Sequence, residues 1–408
     1  MRRVVVGAVV SLALAGCGGG GGGGSPSTPS ATPAPAASST PTPSLPVLNQ
    51  GSLHETVIAM DPADWQALRD NFRTNQYYSA NITFDGEAVS QIGLRSRGVG
   101  SRDQIKPALK IDFNKYIASQ EYRGYKSLVL KNLVQDASLL RERLAFAVFE
   151  AMGIPAPQNS FTRLTVNGEY WGLYQLDEPV SGHFLNLRYG ENGGNLFNYQ
   201  YSYPYDFAWR GGDAGAYIPV PFEPDEDKPD LGAGLVAFVD TINHAPDATF
   251  VSTVSSFLDV DRFLTFLAVE DALAEHDGLV GEFGMNNFYL YQFKGQNRFV
   301  FIPWDKDNAF QSPAWPIFYN VDTNVLTRRL MVDAGKRKVY VEAVTKAVTS
   351  FVNSRWLAPQ LESAYSQIRA QAQADTKKPY TNGEFETSVV GLRGIIAGRE
   401  ADVQNQTR

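Results

Sequence analysis

The stretch FIPWDKDNAF, residues 301–310, marks where a chain of strands gives way to a chain of helices. The apolar run from Phe299 to Trp304 reads as a buried strand, and it stops abruptly at Asp305, with Asp307 two positions on. Residues i and i+2 of an extended chain share a face, so both carboxylates are expected at one spot. Upstream, strand patterns dominate. LHETVIAM (53–60) is a first strand, and ANITFDGEAVSQIGLRSRG turns as a hairpin at Asp85-Gly86. PALKIDF (107–113) alternates Leu109, Ile111 and Phe113 with Lys110 and Asp112, and a second hairpin turns at Asn167-Gly168. Two helices stand out: 136–155, capped by Asp136 and stopped by Gly153 and Pro155, and 261–278. Beyond Asn320 the pattern is mostly helical. The fold class expected is α+β, with a smaller sheet-rich N-terminal part and a larger helical C-terminal part.

The chain has 408 residues, 43% hydrophobic and 12% aromatic, enough for a sizeable core. A net charge of −7 argues against a general nucleic-acid binder, which carries a basic patch. At the N-terminus, Arg2 and Arg3 precede a short apolar segment, Val4 to Ala15, of signal-peptide rather than membrane-spanning length. Leu14-Ala15-Gly16-Cys17 resembles a bacterial lipobox, so residues 1–16 are expected to be removed and Cys17 to carry lipid. Residues 17–50, rich in Gly, Pro, Ser and Thr, read as a tether, and 51–408 as the folded domain. The expected location is extracytoplasmic, at the cell envelope, anchored to a membrane by lipid and on the outer membrane where one exists.

The four histidines are scattered and lack zinc-site spacing, and neither a nucleophile elbow nor a P-loop is present. DKDNAF starts like an EF-hand loop, but Phe310 stands where glycine is needed and Pro316 where the final glutamate belongs. The charge run at 223–230 reads as a solvated loop. Three features carry chemistry: Asp305 with Asp307; Asp277 after a long apolar helix, followed by Asn286 and Asn287; and the basic stretch RSRGVGSRDQIKPALK with Lys106 and Lys110. Hard oxygen donors with lysines suit a divalent cation and phosphate, the requirements of phosphoryl transfer from a nucleotide. Spacing alone leaves open that these are unrelated strand-end acids and surface lysines.

Four blocks, in order, resemble the CotH kinase family, from Leu53 to about Arg399: GLRSRGVGSRDQIKPALKIDF; LVLKNLVQDASLLRERLAFAVFEAMGIPAPQ; VNGEYWGLYQLDEPVSGHFLNLRYGENGGNLF; and NNFYLYQF with RFVFIPWDKDNAF. The resemblance implies an atypical protein-kinase-like fold whose members phosphorylate Ser or Thr of protein substrates with ATP and Mg²⁺ or Mn²⁺. It implies Asp305 as metal-binding acid, Asp277 as catalytic acid, and Asn287 and Asp307 as further metal contacts. Arg97 and Gly98 are placed by it at the phosphates, with Lys106 or Lys110 as the phosphate lysine and Glu178 as that lysine's ion-pair partner. Strand phase favours Lys110. On this reading metal, rather than a salt bridge, compensates Asp305. Two other readings compete: a non-catalytic envelope scaffold, and a carbohydrate-active protein using the aromatics of NYQYSYPYDFAW (198–209). The tyrosine-rich segment 198–220 is also a candidate wall of a substrate groove.

Overall fold

A computed structural model describes residues 45–202, 204–228 and 231–408. The signal segment, Cys17 and nearly all of the tether lie outside the described residues. The expected architecture holds: a mixed α+β chain, sheet-rich first and helical last.

The N-terminal elements are β1 (His54–Met60), α1 (Pro62–Asp70), β2 (Tyr78–Phe84), β3 (Glu87–Ser96), β4 (Leu109–Asp112), β5 (Ser127–Lys131), α2 (Arg141–Ala151), β6 (Asn159–Val166) and β7 (Glu169–Asp177). Their seven strands close into a barrel in the order β1-β2-β3-β4-β5-β7-β6, with β1 parallel to β6 at the seam. Closure removes the exposed edges that an open sheet would present. Strand alternation sends Leu109, Ile111, Leu128 and Leu130 into the barrel core. Lys110, Val129 and Lys131 are thereby left on the outer face. Both hairpins turn where the Asp-Gly and Asn-Gly pairs predict, with Asp85, Gly86, Asn167 and Gly168 all at positive φ.

The fold begins earlier than Gly51. Leu45, Val47 and Leu48 are buried in the barrel core. Val47 O accepts the Ser160 hydroxyl at 2.6 Å, and Gln50 O accepts Nη2 of Arg143, on α2, at 2.8 Å. Helix α2 starts five residues later than its pattern suggests because Asp136 caps it from a distance. Its carboxylate accepts the backbone N–H groups of Ser138, Leu140 and Arg141 through an intervening turn in which Leu139 has φ +63°.

The remaining elements are α3 (Gly182–Tyr189), β8 (Asn195–Tyr199), β9 (Phe222–Pro224), α4 (Ala233–His244), α5 (Phe250–Val254), α6 (Val260–Ala272), β10 (Phe288–Gln292), β11 (Phe299–Pro303), α7 (Val325–Val332), α8 (Ala334–Ser350), α9 (Leu357–Ala374) and α10 (Asn382–Gln406). A second sheet runs β11-β10-β8-β9. Every residue of β11 is buried, because the strand has a core on each side. Val300 and Ile302 pack with Val129 of the barrel, whereas Phe299 and Phe301 join the large helical core around α6. This explains the unbroken apolar run that precedes Asp305. No helix among the described residues is long and apolar enough to cross a membrane.

Much of the aromatic segment is core rather than surface, although Tyr201 is about half exposed. Tyr199, Tyr205, Phe207 and Tyr217 are buried in the helical core, with Tyr199 stacked on Phe288 at 4.7 Å.

Candidate active site

The site forms where the outer face of the barrel meets α2 and the end of β11. Lys131 ends β5 with its side chain outward, opposite Gln175 on β7. Its ammonium lies 2.5 Å from Glu142 Oε1 on the first turn of α2 and 2.6 Å from Asp305 Oδ1. Trp304 lies alongside, its ring centre 5.0 Å from Lys131 Nζ and 5.5 Å from Arg97 Cζ, so two cations contact one aromatic ring. Gln175 Nε2 donates to Glu142 Oε2 at 2.9 Å and to Asp177 Oδ1 at 2.8 Å, tying the two acids together.

Asp305 leaves β11 with φ +53°, and Asn287, just before β10, has φ +58°. Such left-handed backbone at non-glycine residues is strained and persists only where the surroundings fix it. Here the pairing of Phe288 with Pro303 and the Trp304 N–H to Asn287 O bond hold the two residues side by side. Asn287 Nδ2 donates to Asp277 Oδ2 at 3.0 Å and to Asp277 O at 2.9 Å, and Asn286 Nδ2 donates to Asp277 Oδ1 at 2.9 Å. Asp277 is thus oriented by two amides, and Asn287 keeps its carbonyl oxygen turned away from that pair. A buried layer supports the loop: Lys306 Nζ bonds Glu270 Oε1 at 2.6 Å, Glu270 accepts the N–H of Leu279 and Glu275 that of Asp277.

The electrostatics follow from four carboxylates, Asp305, Glu142, Asp177 and Asp307, acting on one ammonium. Burial disfavours the charged Lys131, but these acids outweigh it and raise its pKa. For Asp305 burial pushes upward, and the charge and hydrogen bond of Lys131, with Arg97 and Lys306, outweigh it and hold the carboxyl below its usual value. Glu142, Asp177 and Asp307 are raised, chiefly by burial. Burial also raises Asp277, and it pushes Glu275 up to about 8 against the pull of Lys306.

The sequence-derived site is partly assembled. Asp277, Asn287, Asp305 and Arg97 come together, and Gly98, at φ +97°, makes the turn beside Arg97. Asp307 is buried near Asp305, but the extended-chain argument for it fails, since the chain turns at Asp305. The expectation that Asp305 has no salt bridge is overturned by Lys131. Lys106 cannot reach a ligand: it is fully buried, bonding Asp375 Oδ2 at 2.7 Å and Leu173 O at 2.8 Å. Lys110 shares the outer face, but it lies 3.9 Å from Asp112 and lines a separate polar cavity of about 590 Å³. Glu178 is no lysine partner. It accepts from Tyr125, Gln158 N and Arg188, while its neighbour Asp177 faces the site. Lys131, Glu142, Gln175 and Asp177 went unread. The available signal was a lysine ending the apolar strand SLVLK, with a glutamate in the first turn of the next helix.

Lys106 instead fastens the 97–106 turn to the C-terminal helices, because Asp375 follows α9 and also accepts the N–H of Leu173 at 3.0 Å. Lys106→Met leaves a buried carboxylate without its cation and is expected to destabilise the fold by about 3–5 kcal/mol. Urea unfolding measures this, and a change below about 1 kcal/mol would show that the Asp375 backbone bonds suffice.

Among the described residues no three His, Cys, Asp or Glu side chains form a ready metal cluster. The donor chemistry nevertheless fits a hard divalent cation: oxygen ligands, with carboxylates in excess around the one ammonium.

A strand-end acid, an amide-held second acid and a lysine held by a helix glutamate are parts that recur in phosphoryl-transfer sites. Consistent with this, the chain belongs to the family described as CotH kinase protein, whose sequence profile matches residues 94–402. It is similar to Inner spore coat protein H of Bacillus subtilis (strain 168), 24% identical over 348 residues, covering 83% of this chain and 92% of that protein. It is also similar to Spore coat protein homolog 1 of Rhizopus delemar, 21% identical over 81% of this chain and 56% of that protein. Invasin CotH2 of the same fungus is 26% identical over 55% of this chain and 41% of its own length. The chain therefore spans most of the Bacillus relative and about half of the fungal ones.

Proposed function

We propose that this protein is a kinase of atypical protein-kinase-like fold, transferring the terminal phosphoryl group of ATP to a Ser or Thr hydroxyl of a protein substrate. The observation that carries this reading is one ammonium, Lys131, shared by Glu142 of α2 and Asp305 beyond β11, with Asp277 beside them. Glu142 holds Lys131 where it can meet the donor phosphates, and Arg97 adds a second positive charge against the same tryptophan ring. Asp305, the Asn287 side-chain oxygen and Asp307 are the residues to hold Mg²⁺ or Mn²⁺. When bound, the ion would neutralise charge on the transferring group. Asp277 accepts the acceptor hydroxyl proton, and its raised pKa brings it nearer the range of a working base. A groove of about 400 Å³ beside the Asp277 loop, lined by Pro204, Asp206, Leu279, Glu282 and Asn320, is the candidate seat of the acceptor segment. Lipid on Cys17 would tether the domain outside the cytoplasm, at the cell envelope. The coat and invasin names of the relatives support a surface location.

The competing reading, a binding scaffold, draws on the same Lys131–Asp305 contact, which in a non-catalytic protein would be a permanent salt bridge. Incubation of the full chain with γ-labelled ATP and Mg²⁺ or Mn²⁺ separates the two. Label transfer to the chain or to a generic protein acceptor, lost in Asp305→Asn, is expected. Absence of transfer together with absence of a nucleotide-dependent rise in melting temperature would overturn the kinase reading.

A further inference from the structure

Asp177 is a buried acid that the mechanism above does not use. It is wholly excluded from solvent, at the end of β7. Its Oδ1 accepts from Gln175 at 2.8 Å, and its Oδ2, also buried, has no hydrogen-bond partner. An unsatisfied buried carboxylate oxygen is costly, so its retention calls for a partner in another state of the site.

Lys131 supplies that partner. An ammonium has three N–H donors. Two are engaged, by Glu142 at 2.5 Å and Asp305 at 2.6 Å, and Asp177 Oδ2 is the unpartnered acceptor 3.9 Å from the same nitrogen. Register makes the arrangement deliberate. Lys131 is paired with Gln175 across β5 and β7, so Asp177, two residues along the same face, is its diagonal neighbour. Gln175 then bridges Asp177 to Glu142, so that both acids are held as one unit around the ammonium.

We propose that Asp177 is a positioning residue: it holds the Lys131 ammonium on the barrel side when Asp305 turns away to a cation. Without it, releasing Asp305 leaves Glu142 as the single acidic contact, and the long lysine side chain is free to swing. With it, Lys131 keeps two fixed acceptors and presents its third N–H to the donor phosphate. Gln175 acts one step further out, by aiming both acids.

This inference rests on the kinase reading for its catalytic part, and the test separates the two. Asp177→Leu, close in shape to Asp, is compared with wild type and Lys131→Met in thermal unfolding of the full chain without nucleotide. In the Lys131→Met background the change removes an acid that has lost its cation, and the melting temperature is expected to rise. In wild type it removes the unsatisfied oxygen together with a lysine contact that offsets its cost, and a distinctly smaller rise is expected. Equal shifts in the two backgrounds would overturn the proposal, whether or not the protein transfers phosphate. Where wild type does transfer phosphate, Asp177→Leu is expected to raise KM for ATP about tenfold or more, and Asp177→Asn, which retains an acceptor oxygen, to recover part of that loss. An unchanged KM in Asp177→Leu would likewise overturn it.

Discussion

Asp277→Asn is expected to lower phosphoryl transfer by about 10²–10⁴-fold while leaving KM for ATP nearly unchanged. The lysine, glutamate and strand-end aspartate that would meet the donor are untouched by the substitution. The fold should survive, because Asn287 still bonds the backbone carbonyl of residue 277, at 2.9 Å in the parent, and the new side chain keeps the size of the old. The pH dependence carries a second signature. Transfer needs Asp277 ionised, and burial, with Asp305 adding to it, raises its pKa above the ordinary aspartate value. The acid limb of the pH–rate profile should therefore lie above about pH 4, and the residual activity of Asp277→Asn should lack that limb. Full activity in the variant would remove Asp277 from the chemistry.

The second large effect is expected at Lys131. Lys131→Met removes the cation that faces the phosphates and should reduce transfer by about 10²–10³-fold. It should also destabilise the fold by about 3–5 kcal/mol at neutral pH, since Glu142, Asp177, Asp305 and Asp307 lose their shared ammonium. The sign of the pH dependence follows from linkage. Without the lysine, the folded-state pKa values of Glu142, Asp177 and Asp307 rise further above their unfolded values and Asp305 loses the contact that depresses its own, so folding favours the protonated forms more than in wild type. Such groups contribute stability below their unfolded pKa and lose it as pH climbs through the folded value. The gap between wild type and variant should therefore be widest near pH 7 and narrow toward pH 5. Urea unfolding at the two pH values tests it, and Glu142→Gln in the same chain should restore part of the loss. A gap independent of pH would mean that the acids are stabilised by something other than Lys131.

The parts of the site that the sequence shows are those announced locally. Asp305 ends an apolar run, Asp277 follows a long amphipathic helix, and Asn287 opens a strand, so each lies at a visible change of pattern. Lys131 does not. The strand SLVLK looks like any half-buried strand, and its importance comes from being hydrogen-bonded to β7, more than forty positions away. Glu178 is expected as the lysine's ion-pair partner, but Glu142 holds that place; Glu178 lies one position past Asp177, and in a strand one position reverses the face. Lys106 misled for a different reason. Its partner, Asp375, arrives from the far end of the chain, and no local pattern distinguishes a lysine destined for a buried ion pair from one at the surface. The closed barrel was likewise invisible, because its seam joins β1 to β6 in parallel across roughly a hundred residues.

The entry of the chain into the fold has a mechanical consequence. Gln50 O is gripped by Arg143 at 2.8 Å and by Gln367 of α9 at 3.1 Å, and Arg143 follows Glu142 directly on α2. Leu45, Val47 and Leu48 meanwhile sit among the barrel side chains rather than on a loose loop. Tension arriving from upstream would thus be felt first by Leu45, Val47 and Leu48 in the barrel core and by the helix that carries Glu142. The place where the chain enters the fold and the glutamate that bonds Lys131 are linked through adjacent residues of one helix.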